Sequence, residues 1–201
     1  MIAGFFFIAF GIVLILNSGL GANSWNVLHI GLSLSTPLTL GQSIQIVSLI
    51  LVIVNWCLGE RPGLATILKM VAVGWFVDLI VFINLVPLAG TWFTQYLDMI
   101  GGTLCMGLGS AVYIKTDLGR GPRDGFMFAL QRLTSRPLIL VRTVIEAGAL
   151  VLGILLKGPF GIGSIVITLT FGWVLQGSLS FFKLLEKKLC RRGSGSHFYR
   201  V

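Results

Sequence analysis

Charged residues are scarce in this chain of 201 residues: Asp, Glu, Lys and Arg make up 11% of it, and hydrophobic residues make up 55%. A soluble domain of this size carries roughly 25% charged residues. The chain therefore lacks the charge needed to cover a surface exposed to water, which excludes an ordinary soluble domain. A helical bundle whose outer surface faces lipid needs no such cover, so the composition predicts one integral membrane domain.

Residues that bind metals or act as nucleophiles are also few, with two histidines and three cysteines in the chain. Cys57, Cys105 and Cys190 are far apart and form no Cys-x-x-Cys pair, so neither a disulfide framework nor a zinc site is expected. The sequence shows no metal cluster, phosphate-binding loop or nucleophile–base pair. We therefore expect no enzymatic activity and no cofactor.

Basic residues give the chain a net charge of +8, but they do not form a nucleic-acid-binding pattern. They concentrate in one internal loop, 116–136, and near the C-terminus, with long apolar runs between them. Cytoplasmic loops of membrane proteins are enriched in Lys and Arg, so this pattern encodes orientation. The basic loop and the C-terminus are predicted to be cytoplasmic, whereas the connection 18–36, which has no Lys or Arg, is predicted to lie outside. No nucleic-acid partner is expected.

Six apolar segments come close to the roughly 20 residues that a helix needs to cross a ~30 Å hydrocarbon core. They are residues 2–17, 38–58, 63–86, 95–115, 137–157 and 161–183. Counting the crossings places both termini in the cytoplasm, so the chain is predicted to be a multi-pass protein of the plasma membrane. The tail 189–201 is expected to be a flexible cytoplasmic end, and its Gly-Ser run resembles a vector-derived extension.

The second half of the chain repeats the first. Matches recur at an offset of 98 residues: Leu20-Gly21 with Leu118-Gly119, Asn26 with Asp124, and Gly74-Trp75 with Gly172-Trp173. A further match, Pro37-Leu38 with Pro137-Leu138, has an offset of 100 and places Gln42 on Arg142. Because each half has three crossings, the second copy must enter the membrane upside down, as in many secondary carriers. The predicted fold is an all-α membrane protein of six transmembrane helices, built as two inverted three-helix repeats (1–90 and 91–188), each with a short re-entrant or interfacial helix.

Each half carries a glycine-opened motif followed by an apolar helix. The second copy, Leu118-Gly119-Arg120-Gly121-Pro122-Arg123-Asp124, resembles the Leu-Gly-x-Gly-Pro-x-Asp pattern of the YczE/YyaS/YitT group of small bacterial membrane proteins. The first copy keeps Leu20-Gly21 but has Asn23, Ser24 and Asn26 where that pattern has Gly, Pro and Asp. The resemblance covers nearly the whole chain and implies a bacterial membrane location, but little about function.

The short helices that follow these motifs are the predicted binding elements. Glycines allow a tight turn before each helix, and Pro122 suits a first helical turn. If both helices dip into the membrane, their N-termini bring partial positive charge and free N–H groups together, an arrangement that binds anions. A position on the membrane surface is the open alternative. The candidate substrate-binding residues here are Asn23, Trp25, Asn26, Arg120, Arg123 and Asp124.

Polar residues within the spans complete the candidate site, because ionisable groups are costly in a membrane and commonly functional. Arg142 and Glu146 lie one helical turn apart and are expected to pair, either structurally or as part of a gate. Asp78 lies deep in the third span. It is expected either to accept a coupling proton or to pair with Arg142. These residues and Gln42 are predicted to form the pocket walls.

Three other features are interpreted as structural. Gly101, Cys105 and Gly109 repeat every four residues in the fourth span, which permits close helix contact within the bundle or in a homodimer. Lys69 is expected to snorkel to the cytoplasmic surface. His29 could titrate near neutral pH, but a lone histidine on a short helix is expected to be simply packed.

The sequence therefore favours a carrier or exporter of a small polar solute, with anions as one candidate class, bound between the two glycine-opened helices. Two alternatives stay open: a substrate-binding subunit of a larger permease, and a non-transporting membrane helper of another protein. The Ala-x-x-x-Ala stripe of such permease subunits is missing, since Ala3 and Ala9 are six residues apart. The expected partners are the lipid bilayer and a small solute, with a homodimer as a further option.

Single cysteines introduced into a cysteine-free chain test the predicted topology. A membrane-impermeant maleimide added from outside is expected to label positions within 24–33 and 88–91, which the charge pattern places outside. The same reagent should spare Arg132→Cys and Lys187→Cys in the predicted cytoplasmic segments. Labelling of Arg132→Cys from outside would contradict the inverted-repeat topology.

Overall fold

The computed structural model describes residues 1–60, 63–114 and 121–193, and these residues form helices joined by short turns, with no strand among them. The helices of this described part are α1 (Ile2–Ser18), α2 (Ser24–Ser35), α3 (Leu40–Cys57), α4 (Leu64–Phe82), α5 (Trp92–Ile114), α6 (Pro122–Thr134), α7 (Leu138–Leu155) and α8 (Ile162–Gly193). The expected all-α fold is confirmed.

The six apolar segments that the sequence predicted as spans coincide with α1, α3, α4, α5, α7 and α8. Among the described residues, four helices are long and apolar enough to cross a membrane: α3, α5, α7 and α8 over Ile162–Phe182. The apolar α1 is shorter, with 17 residues. The count of six crossings therefore stays a prediction. α8 continues to Gly193, into the segment expected to be a flexible tail, and residues 194–201 lie outside the described part.

Two pairs of glycines join α1 and α5. A Cβ atom added at Gly4 would lie 2.9 Å from the carbonyl oxygen of Gly109, and one added at Gly11 would lie 2.5 Å from that of Gly102. Since the early residue of α1 meets the late residue of α5, the two helices are antiparallel. Small residues allow helix backbones in lipid to come this close, and the gain is van der Waals contact along their length.

The small-residue stripe of α5 that packs on α1 differs from the expected one. Gly109 contacts α1, but a Cβ atom at Gly101 would meet nothing within 4 Å, and Cys105 is half-buried. Gly102 packs instead of Gly101. The reason is the seven-residue spacing of Gly102 and Gly109, which matches the spacing of the two glycines in α1.

The two halves place their helices at equivalent positions. α3 begins at Leu40 and α7 at Leu138, and α4 begins at Leu64 and α8 at Ile162, so each second helix starts 98 residues after the first. Contacts recur in the same way: α1 packs on α4 as α5 packs on α8, and α2 packs on α7 as α6 packs on α3. One contact has no counterpart. α3 packs closely on α4, whereas α7 and α8 share no comparable interface within the described residues.

The predicted match of Gln42 with Arg142 is wrong. α3 and α7 begin and end 98 residues apart, which aligns Arg142 with Ile44. The two prolines misled the alignment because they occupy different positions. Pro137 is itself the residue before the first turn of α7, whereas Thr39 has that place in α3.

Two neighbouring glycines in α5 provide a matched test of the α1–α5 contact. Gly102→Ala places a methyl group 2.7 Å from the carbonyl oxygen of Gly11, whereas Gly101→Ala places one in open space. We expect Gly102→Ala to lower the free energy of unfolding by about 1–3 kcal/mol, the usual cost of overpacking. Gly101→Ala should leave stability unchanged or slightly higher, since Ala favours helix. Thermal unfolding in detergent measures both, and equal effects would contradict this packing.

Candidate functional site

Side chains of the first turns of α2 and α6 contact each other, and the two N-termini are capped differently. The Asn23 side chain accepts a hydrogen bond from the backbone N–H of Asn26 at 3.0 Å, which caps α2. α6 begins with Pro122 after Gly121, and no side chain caps it within the described residues. The N–H groups of this first turn therefore have no side-chain partner among the described residues.

An apolar cluster connects these turns to the middle of the bundle. Trp25 packs with Leu51 of α3 and Ala149 of α7, both near the middle of their helices. The cluster also contains Leu28, Val47, Phe126 and Ile145. Residues 28 and 126, 47 and 145, and 51 and 149 are each 98 residues apart, so both halves supply equivalent positions. The helices themselves cross nearer the ends of α3 and α7, because a Cβ atom at Gly153 would lie 2.6 Å from the backbone nitrogen of Leu28.

Arg123 connects α6 to α2. Its guanidinium lies 4.8 Å from the centre of the Trp25 ring, and its Nη2 lies 2.9 Å from Nε2 of His29. Trp25 and Arg123 are themselves 98 residues apart, so equivalent positions of the two halves stack on each other. The two glycine-opened helices therefore converge through these side chains.

The charge states of this contact follow from its surroundings. Burial lowers the pKa of Arg123 to about 10, while the carboxylates of Glu146 and Asp124 act in the opposite direction, so the guanidinium is charged at neutral pH. Burial first, and then the charge of Arg123, lower the pKa of His29 well below its ordinary value. The neutral imidazole accepts the Arg123 N–H through Nε2, which leaves its own proton on Nδ1.

Several buried polar atoms beside this contact have no hydrogen-bond partner in the described structure. They are both side-chain atoms of Asn26, Nδ1 of His29 and Oδ1 of Asn55. Asn26 and His29 are each 1% exposed and lie one turn apart on α2, whereas Asn55 is 5% exposed. Buried polar groups are nearly always paired, so a cluster of unpaired ones is typical of a binding site.

Asn55 occupies a position where the two halves differ. Its Nδ2 donates a hydrogen bond to the carbonyl oxygen of Pro122 at 2.8 Å, which fixes the start of α6 against α3. The equivalent residue of α7 is Gly153, which lets α2 approach closely. An amide side chain thus occupies the α3–α6 crossing, whereas the α7–α2 crossing is backbone contact.

Two charged groups and a hydroxyl surround Gly121, the residue before the first turn of α6. A Cβ atom there would lie 3.2 Å from Oδ2 of Asp124, 3.2 Å from Nζ of Lys69 and 3.4 Å from the Tyr113 hydroxyl. The Lys69 ammonium also lies 4.4 Å from the centre of the Tyr113 ring. Lys69 was expected only to snorkel, but it points toward the first turn of α6. Glycine at position 121 leaves the space in which these groups meet.

The predicted pairing of Arg142 with Glu146 is wrong for the described structure, in which no ion pair joins them. Arg142 is exposed, and Glu146 is half-buried and acts on Arg123. The spacing of one helical turn permits the pair but does not ensure it, because Arg142 is exposed while Glu146 is half-buried.

Gln42 lies in the first turn of α3, and Asp78 of α4 packs against the start of that helix. Asp78 accepts hydrogen bonds from the Thr39 hydroxyl at 2.6 Å and from the backbone N–H of Gly41 at 2.7 Å. Gln42 and Thr39 form a reciprocal capping box. Asp78 therefore holds α4 to the N-terminus of α3, and its suggested pair with Arg142 is absent from the described residues. Arg120, another predicted site residue, lies outside the described part of the chain.

Sequence reasoning missed three polar contributors to this site. His29 is packed as expected, but its hydrogen bond with Arg123 was not predicted; Lys69 was interpreted as a snorkelling residue, and Asn55 was not considered. One available signal was the offset of 98 residues, which sets Asn55 against Gly153 and Lys69 against Ile167. A polar residue in an apolar span whose equivalent is small or apolar marks a position where the two halves differ in chemistry.

Comparisons with known proteins agree with the glycine-opened motifs. The model of DUF6198, described as a family of unknown function, matches residues 1–178. An uncharacterised protein of Haemophilus influenzae is 32% identical over 172 residues, which are 86% of this chain and 78% of that protein. Two Bacillus subtilis proteins are also 32% identical: YyaS over 86% of this chain and 87% of its own length, and the membrane protein YczE over 94% and 89%. No solved structure matches the chain. The resemblance to the YczE/YyaS/YitT group is confirmed.

A double-mutant cycle tests the contact between α2 and α6. His29→Ala and Arg123→Ala should each lower the free energy of unfolding, and together they should cost about 1–3 kcal/mol less than the sum, because they remove the same charge-assisted hydrogen bond. His29→Ala with Arg132→Ala is the control, since Arg132 lies on the same helix but binds Glu60 at 3.1 Å. That control pair should be additive. Additivity of the His29–Arg123 pair would contradict the contact.

Proposed function

The chain belongs to DUF6198, a family of unknown function, and we propose from the geometry of its site that it is a membrane carrier or exporter, not an enzyme, that binds a small polar solute between α2 and α6. One observation carries this proposal. Two short helices, one from each half, meet at a half-buried cation, Arg123, and buried polar atoms of Asn26, His29 and Asn55 lack partners among the described residues. Carriers built from repeats bind their solutes at such repeat interfaces.

The proposal includes six crossings in two inverted halves. The reciprocal glycine contacts support it. Gly4 is equivalent to Gly102, and Gly109 is equivalent to Gly11, so exchanging the two halves converts one glycine contact into the other. Two antiparallel helices exchanged by this operation are related by a two-fold axis perpendicular to them. For helices that cross a membrane, such an axis lies in the membrane plane, which is the inverted arrangement.

The difference between the halves supports transport over a static role. α4 is held on α3 by Asp78 and by a hydrogen bond from Nε2 of Gln45 to the carbonyl oxygen of Val71, at 3.0 Å. The equivalent residues of α7 and α8 are Thr143 and Leu169, and both are exposed. Alternating access in such folds is largely the movement of one repeat against the other around a fixed site. In the second state of this mechanism α8 closes on α7 and α4 leaves α3.

Cysteine pairs at equivalent positions distinguish this carrier from a static membrane helper. In a cysteine-free chain, Gln45→Cys with Val71→Cys tests the α3–α4 contact, and Thr143→Cys with Leu169→Cys tests the α7–α8 gap. A carrier that alternates should form both cross-links in native membranes with a short bifunctional maleimide.

Val71→Cys with Leu169→Cys, on α4 and α8, is the matched control for random collision and should give no product. Cross-linking of the α3–α4 pair alone would contradict alternation and favour the helper interpretation. Loss of both cross-links would contradict the helix packing itself.

A further inference from the structure

The convergence of α2 and α6 brings together four charged groups, two of each sign. Arg123 and Lys69 are cationic, and Asp124 and Glu146 are anionic. Lys69 Nζ and Asp124 Oδ2 each lie 3.2 Å from the position of a Cβ atom at Gly121, and the charges of Glu146 and Asp124 act on Arg123. Formal charge is therefore balanced among these described residues.

These balanced charges are close but not bonded to each other. Within the described residues, no ion pair joins any two of the four. The two cations have neutral partners, since Arg123 contacts His29 and Trp25 and Lys69 lies over the Tyr113 ring, but neither is paired with a carboxylate. Charged groups inside a membrane are normally paired with opposite charges. The arrangement therefore leaves cationic and anionic ends separated, with unpaired neutral donors and acceptors on Asn26, His29 and Asn55 beside them.

A ligand that satisfies such a site must offer both signs of charge. A net anion would gain contacts with Arg123 and Lys69, but it would also bring a second negative charge toward Glu146 and Asp124. A net cation would gain contacts with Glu146 and Asp124, but it would bring a further positive charge toward Arg123 and Lys69. A dipolar molecule without net charge pairs with all four groups and adds no charge to the membrane interior.

We propose that the solute is a small zwitterion of the amino-acid type, with its carboxylate at Arg123 and Lys69 and its ammonium group at Glu146 and Asp124. This inference rests on the proposed function, because it takes the space between α2 and α6 as the binding site. It narrows the solute class from polar molecules and anions to dipolar molecules.

Three matched ligand pools test this charge class with the full chain purified in lipid nanodiscs. The first contains amino acids with uncharged side chains, the second their N-acetyl derivatives with one negative charge, and the third their amides with one positive charge. The amino-acid pool should raise the thermal unfolding temperature by roughly 2–4 °C at saturation. The other two pools should need at least about tenfold higher concentrations for the same shift.

Variants assign the effect to these residues. Arg123→Ala should abolish the shift. Glu146→Gln should raise the response to the N-acetyl pool about tenfold relative to the amino-acid pool, because it removes a negative charge that repels anions. Asp98→Asn, which removes an acidic group of α5 outside the site, is the matched control and should change neither response.

The outcomes separate this inference from the proposed function. A stronger shift with the N-acetyl pool that Arg123→Ala abolishes would overturn the zwitterion class and leave the site intact. A shift with the amino-acid pool that Arg123→Ala does not change, or no shift with any pool, would also overturn it. An Arg123-dependent shift with amino acids but no uptake of the same radiolabelled pool into proteoliposomes would retain the ligand class and contradict the carrier function.

Discussion

The close antiparallel contact of α1 with α5 constrains the rest of the fold, because four glycines leave no volume between the two backbones for side chains. In lipid, apolar surface gains little from helix association, so close packing must supply the stabilisation. α4 then packs on α1 and α8 on α5. The connection from α1 to α2 also contacts α8, because the backbone N–H of Gly163, in the first turn of α8, donates to the carbonyl oxygen of Leu20. The central pair thereby determines where the short helices begin.

A nearly symmetric frame carries an asymmetric site. Trp25 and Arg123 are equivalent, yet one supplies an aromatic face and the other the cation that stacks on it. Lys69 and Tyr113 correspond to Ile167 and Ile15, both buried in the main core. Lys69 and Tyr113 beside the start of α6 therefore have apolar counterparts, whereas Asp124 corresponds to the polar Asn26. The first turn of α6 thus carries charged residues, while Asn26 and His29 of α2 supply neutral polar groups.

The helices could be predicted from the sequence because long apolar runs separated by turn residues leave few alternatives in lipid. The approach of Trp25 to Arg123 could be predicted because the glycine-opened motifs that precede both residues are local signals. The role of Asp78 could not be predicted, since its partner Thr39 is 39 residues away and their contact depends on how α4 packs. The contacts of Asn55 and Lys69 could not be predicted for a similar reason. Hydropathy identifies a span, but it does not tell which side of that helix meets a neighbour.

Asn55 and Gly153 also bear on how such a protein arose. An ancestral dimer of two identical half-length chains, inserted in opposite orientations, would place the same residue at both helix crossings. Glycine there would permit close approach but offer no amide to the start of α6, whereas asparagine would offer the amide and obstruct the approach of α2. Fusion of the two halves into a single gene removes this compromise, because each crossing can then diverge independently. After such divergence neither half can replace the other, since each supplies only one of the two crossings.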